Sequence, residues 1–118
     1  MADAGLFFSF GEPYPGREEQ GVRLWHEANA YYASLLEAGR IGRFEPFVLG
    51  VHGGGLRGFT IIGGTPEQIG ALRFDDEFVS YIMRSQLCNK DVGVTPLFFG
   101  ETLSHIMERW EHEVSALA

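Results

Sequence analysis

Apolar positions in this chain follow two periods. Short runs rich in Phe, Ile, Val and Thr are apolar on both alternating faces and end at Gly or Pro, which predicts strands; longer stretches repeat every three to four residues, which predicts helices. The first strand runs from Leu6 to Phe10, and a turn holding Pro13 and Pro15 follows. A helix is expected from about Arg17 to Ala38, with Glu18 and Glu19 at its positive end and Gly39 as its stop. At 100° per residue, Val22, Trp25, Asn29, Tyr32, Ala33 and Leu36 share the side expected to meet the sheet, with Asn29 close to its centre.

Ile41 to Val51, which contains Pro46, and Leu56 to Ile62 read as a hairpin joined through His52, Gly53, Gly54 and Gly55. Two glycines then hand the strand to a helix start, with Thr65 as cap, Pro66 at the first position and Gln68 reaching back. Asp75, Asp76 and Glu77 open a second, better helix through about Leu87. Its apolar side is expected to hold Phe78, Val79, Ile82 and Met83, with Gln86 among them. Gly93 to Phe99, with Pro96, gives a fourth strand. The last helix starts at Glu101 or Thr102 and carries Leu103, Ile106, Met107, Trp110, Val114 and Leu117 on one side.

The resulting order is strand, helix, strand, strand, helix, strand and a terminal helix. This is the split βαβ plan: an α+β, ferredoxin-like βαββαβ domain with a four-stranded antiparallel sheet, strands one and three central. Proline cannot donate to a strand ladder, so Pro46 and Pro96 belong in edge strands, where the topology puts the second and fourth. A chain of 118 residues holds one domain, with a core over about residues 5–100 and the C-terminal helix over about 101–117.

Composition narrows the partners. With 45% hydrophobic residues, a packed core needs neither metal nor disulfide. Sixteen acidic against nine basic residues give a net charge of −7, which repels phosphate backbones and anionic lipid, so no nucleic acid and no membrane are expected. The single cysteine, Cys88, reads as a small buried apolar side chain. The first ten residues lack the charged start and apolar run of a signal peptide, and no run is long enough to span a bilayer, so the cytoplasm is expected.

Three stretches, Gly58 to Gln68 (GFTIIGGTPEQ), Asp75 to Phe78 (DDEF) and Gly93 to Gly100 (GVTPLFFG), resemble the dimeric α+β barrel superfamily. The likeness is greatest to small bacterial members with a helix added after the last strand, and it covers about Leu6 to Gly100. It implies a homodimer whose sheets stack face to face. Such families include cofactor-free monooxygenases, haem-degrading enzymes, lactone isomerases and cyclases, but neither the haem-degrading Asn, Trp and His set nor a His-Asp pair occurs at recognisable positions, and no cofactor is implied. The physical argument agrees: a sheet covered on one side leaves an apolar face that a two-fold partner would cover, unless the terminal helix folds over it.

No motif names a substrate. Asn29 and Gln86 each interrupt a face expected to be buried, and an unpaired buried amide costs roughly 1 to 3 kcal/mol. Together with Trp25 and Tyr32 they are the candidate lining of a pocket between helices and sheet for a small apolar or aromatic molecule. His26, on the margin of the first helix's apolar side, and His52, at the mouth of the hairpin, are the candidate general bases if the protein is instead a cofactor-free monooxygenase, isomerase or cyclase. A structural or regulatory dimer with a filled core is the third reading.

Other patterns point nowhere. The His52 to Gly55 run lacks the Gly-x-Ser-x-Gly elbow of an esterase, and the Gly53, Gly55, Gly58 spacing leads into a strand where a dinucleotide site needs a helix. Glu101, His105, Glu108 and His112 form one stripe opposite the last helix's apolar side. His105 and His112 lie about 10 Å apart along the axis, too far for one ion, so no metal site is expected.

Overall fold

Alternation of apolar side chains across Ala4–Phe10 produces β1, the strand on which the others assemble. The computed structural model describes residues 4–118; residues 1–3, included above in the single domain and in the signal-peptide argument, lie outside them. The elements that follow are α1 (Glu18–Glu37), β2 (Arg43–Val48), β3 (Gly58–Gly64), α2 (Pro66–Arg73), α3 (Asp76–Cys88), β4 (Gly93–Phe98) and α4 (Gly100–Leu117). The four strands form one sheet in the order β2-β3-β1-β4, every pair antiparallel. Pro46 and Pro96 both fall in edge strands, opposite Thr60 and Leu6 respectively.

The helix starts also follow the sequence. Thr65 and Gln68 close a capping box at α2, each side chain bonded to the other's backbone N–H. Gln68 also donates to the carbonyl oxygen of Gly39 at 2.9 Å, which ties this start to the end of α1. Gly39 itself turns with φ +73°, a conformation that ends α1 cheaply only because it lacks a Cβ. Asp75 caps α3 by accepting from Glu77 and Phe78 N–H groups, so the second helical segment is two helices broken at Phe74.

One face of the sheet is covered by α1, α2 and α3. Leu6 and Phe8 from β1 and Ile62 from β3 pack there against Leu24, Tyr31, Tyr32 and Leu35 of α1, Ile69 and Leu72 of α2, and Phe78 and Tyr81 of α3. Cys88 is buried in this core, as a small apolar residue would be. The register places Phe7, Phe47, Phe59, Ile61 and Leu97 on the opposite face. There Phe47, Phe59 and Phe7 form a ladder across three strands, with ring centroids 4.9 and 4.8 Å apart. Paired Gly5 and Gly63 leave a trough beside it, and the Phe99 ring lies over Gly5 with the Arg43 guanidinium above that ring.

Two helix faces differ from the sequence expectation. The core side of α1 is Leu24, Ala28, Tyr31, Tyr32 and Leu35, about a quarter turn from the expected stripe, and Val22, Ala33 and Leu36 are exposed. Asn29 therefore stands on the margin of the buried side, not at its centre. On α3 the buried positions are Phe78, Tyr81 and Cys88, spaced so that Met83 and Gln86 turn to solvent. The reason is the same in both helices: aromatic Tyr31 and Tyr81, whose rings pack 5.1 Å apart, outcompete smaller apolar residues for the interface between α1 and α3.

The α4 helix does not fold over the open face. Among the described residues its only substantial neighbour is β4, and no residue along it is buried. The molecule measures 51 × 37 × 24 Å with a radius of gyration of 16.2 Å. A compact chain of this length has a radius of about 13 to 14 Å, so α4 stands off the body as a spur.

Candidate functional site

A cavity of about 270 Å³ opens between the first half of α1 and the covered face of the sheet. Phe8 and Phe10 of β1, Thr60 of β3 and Val48 of β2 form its floor, and Val22, Trp25, Ala28, Asn29 and Tyr32 of α1 form its roof. Pro13, Ser85 and Asn89 close one end. It exists because α1 turns small residues, Gly21 and Ala28, toward a sheet surface whose aromatic rings stand apart. Phe10 meets Trp25 edge-on at 5.4 Å. The Phe10 ring can pack this close to β3 only because Gly58 has no side chain: a Cβ there would sit 2.5 Å from Phe10 Cζ and 2.7 Å from the carbonyl oxygen of Phe47.

The closed end is a staple between two distant segments. Gly11 N–H donates to the Lys90 carbonyl at 2.7 Å, Lys90 N–H to the Glu12 carbonyl at 2.9 Å, and Tyr14 N–H to the Cys88 carbonyl at 2.8 Å. The Asn89 amide donates to the Gly11 carbonyl, and Lys90 Nζ reaches Glu12 Oε1 at 3.0 Å. The Lys90 hydrogen bond and charge, with a smaller contribution from Arg57, hold the Glu12 carboxyl below the usual range.

Three polar groups around the cavity are already engaged. Ser85 Oγ donates to the Tyr81 carbonyl at 2.7 Å, Asn89 is used in the staple, and the Glu18 carboxylate accepts from Gly16 N–H. Others are free. The Asn29 amide makes no side-chain hydrogen bond among the described residues. Tyr32 is 2% exposed, and its hydroxyl is the buried side-chain polar atom left without a partner among the described residues. Burial, reinforced by neighbouring Tyr31 and Tyr81, pushes the Tyr32 phenol pKa up, so it stays a neutral donor. Tyr31, by contrast, spends its hydroxyl on Asp75 Oδ1 at 3.3 Å.

Of the residues singled out in the sequence, Trp25, Asn29 and Tyr32 come together in the cavity wall and Gln86 does not; it lies exposed on α3. The positions one and three residues on either side of it, Ser85 and Asn89, face the cavity instead. His26 is exposed on α1, and His52 is exposed in the β2–β3 loop. Neither lines the cavity. His52 is consumed by its own turn, with Nδ1 accepting from Gly54 N–H and Nε2 facing the Leu56 carbonyl, so neither ring nitrogen is left to take a proton from a ligand. The floor residues Phe8, Phe10 and Thr60 were not identifiable before the register was known, because alternation alone does not say which face is covered.

Glu101, His105, Glu108 and His112 lie exposed along α4, and among the described residues no three His, Cys, Asp or Glu side chains converge as metal ligands would. No helix among the described residues is long and apolar enough to cross a membrane.

No family model and no curated protein matches the chain. Among solved structures, a dimeric protein of unknown function and ferredoxin-like fold from Bacteroides fragilis superposes with a TM-score of 0.59 at 8% identity, covering 81% of this chain and 96% of that one. At that identity the likeness carries the architecture alone. Strand order, antiparallel register and this superposition together make the fold ferredoxin-like, α+β, with a helix added after the last strand.

Proposed function

We propose that this chain is a homodimeric small-molecule-binding protein that holds a mainly apolar or aromatic ligand in the cavity beneath α1. The observation that carries the reading is the cavity's composition: a mainly apolar floor and roof with a few polar side chains, Trp25, Asn29 and Thr60 among them, that make no side-chain hydrogen bond among the described residues. Apolar walls supply the binding energy, and a few placed polar groups fix orientation. A ligand bringing an acceptor to the half-buried Asn29 amide gives that group the partner it lacks in the free chain.

The homodimer rests on the open face of the sheet, where the Phe7, Phe47 and Phe59 ladder makes a contiguous apolar patch. The Bacteroides fragilis protein of the same fold, itself dimeric, is consistent with it. Calorimetric titration with 2-naphthol, an aromatic probe with one hydrogen-bonding oxygen, tests the ligand reading. Saturable one-to-one binding is expected, weakened at least tenfold in Asn29→Leu and abolished when Ala28→Phe fills the roof. Binding of equal strength in both variants, or none in the wild type together with no small molecule retained in native mass spectra, would refute it.

A further inference from the structure

The apolar stripe on α4 is the largest feature that the cavity leaves unexplained. Leu103, Met107, Trp110, Val114 and Leu117 are 44% to 90% exposed, on a helix of a chain whose other large apolar side chains are mostly packed. Their spacing is four, three, four, three. A helix that covers a sheet or a globular core needs a wider stripe, with a third apolar position in each two turns, whereas a strict a/d alternation is the narrow seam of one helix against another. Ile106, the apolar residue off this seam, is the one partly covered in the single chain.

Area decides what lies against the seam. Four strands about 4.8 Å apart and about 20 Å long give the open face a footprint of roughly 400 Å². Standard-size interfaces bury about 600 to 1,000 Å² per partner, a range that the sheet face alone does not reach. The 18 residues of α4 span about 27 Å and add roughly 270 Å² at helix width. The arm starts at the level of the open face, because Phe99, the residue before it, lies on that face over Gly5. A second copy stacked on the face brings its own arm to the same plane.

We propose that α4 is a dimerisation arm, whose seam of Leu103, Met107, Trp110, Val114 and Leu117 interlocks with α4 of a second copy of this chain. The inference rests on the homodimer proposed above and extends it from the sheets to the arms. Two and a half heptads flanked by Glu111 and Glu113 are too short and too acidic to associate unaided, so the pairing depends on the sheet contact beside it.

Two full-length variants test it. In Met107→Glu/Trp110→Glu, both changes fall on exposed positions, so the fold survives, as circular dichroism will verify; sedimentation is expected to give a dimer dissociation constant raised at least tenfold. In Cys88→Ser/Met107→Cys/Val114→Cys, mild oxidation is expected to give disulfide-linked dimers whether the arms run parallel or antiparallel, since positions 107 and 114 lie about 10 Å apart along one helix and cannot bridge within it. A dimer that keeps its wild-type dissociation constant in the first variant, or forms no cross-link in the second, overturns the arm while leaving the homodimer standing. A wild-type chain that sediments as a monomer at 100 micromolar overturns both.

Discussion

Phe7 and Phe8 are neighbours on one strand, yet they live in different surroundings. Phe8 is buried under the helices at the floor of the cavity and meets Phe78 edge-on at 6.1 Å, whereas Phe7 packs against Phe59 with tilted rings at the open face and remains half-buried. Both faces carry phenylalanine and isoleucine, but the open one also holds Ser9, Thr95 and the Arg43–Glu45 ion pair, whereas the covered one has no charged side chain among the described residues. Cover differs too: within one chain, α1, α2 and α3 supply it on one side, and α4 declines to supply it on the other. The single chain covers one face of the sheet and leaves the aromatic ladder of the other exposed, and the homodimer proposed above would cover it.

That contrast can be broken most sharply at its covered side. Phe78→Ala removes a 0% exposed ring from the covered core and is expected to cost about 3 to 5 kcal/mol in chemical denaturation. A cost below about 1 kcal/mol would mean that the covered face is not the one that holds the fold. Next comes Gly58→Ala, where the new methyl meets both a ring and a backbone oxygen; about 1 to 3 kcal/mol is expected, with probe binding in the cavity lost as Phe10 is displaced.

The open face should respond differently. Phe59→Ala is expected to cost about 1 to 2 kcal/mol and, more tellingly, to abolish the rise of melting temperature with protein concentration that mass action gives a dimer. If melting is independent of concentration in the wild type, the second interface does not form. The smallest effect belongs to a residue outside both faces. For Asp75, burial alone would raise the carboxyl pKa, but N–H donation from Phe78 and Glu77, with Arg40 and Tyr31, holds it below the usual range. A depressed carboxyl contributes stability above its unfolded pKa of about 3.9 and loses that contribution as pH falls through the lower folded value. Asp75→Ala is therefore expected to cost about 1 kcal/mol near neutrality and to converge with the wild type in acid.

Much of this architecture was legible in the residues. Prolines marked both edge strands, and Thr65 and Asp75 announced both helix starts, because these signals act locally and do not depend on tertiary context. The candidate site was legible in a less direct way. Val22, Trp25, Asn29 and Tyr32 do form a stripe on α1, but it is the wall of a cavity, and the core stripe of Leu24, Tyr31 and Leu35 lies beside it. Periodicity reports that a side is apolar; it does not report whether atoms or empty space lie opposite. The reading of Gln86 failed for a related reason: Tyr81 turned α3 so that Ser85 and Asn89 face inward. His52 was a plausible base in sequence until its loop geometry tied up both ring nitrogens.

The staple at the closed end of the cavity also bears on how the chain reaches this state. The Asn89 and Lys90 bonds to Gly11 and Glu12 join positions 78 residues apart, so loop closure makes them costly to form before the intervening helices and strands are in place. They are expected to form in the late part of the folding reaction. Damage to them is therefore expected to accelerate unfolding more than it slows refolding, so that the lifetime of the native state is set in part where the chain's first dozen residues meet the start of its last quarter.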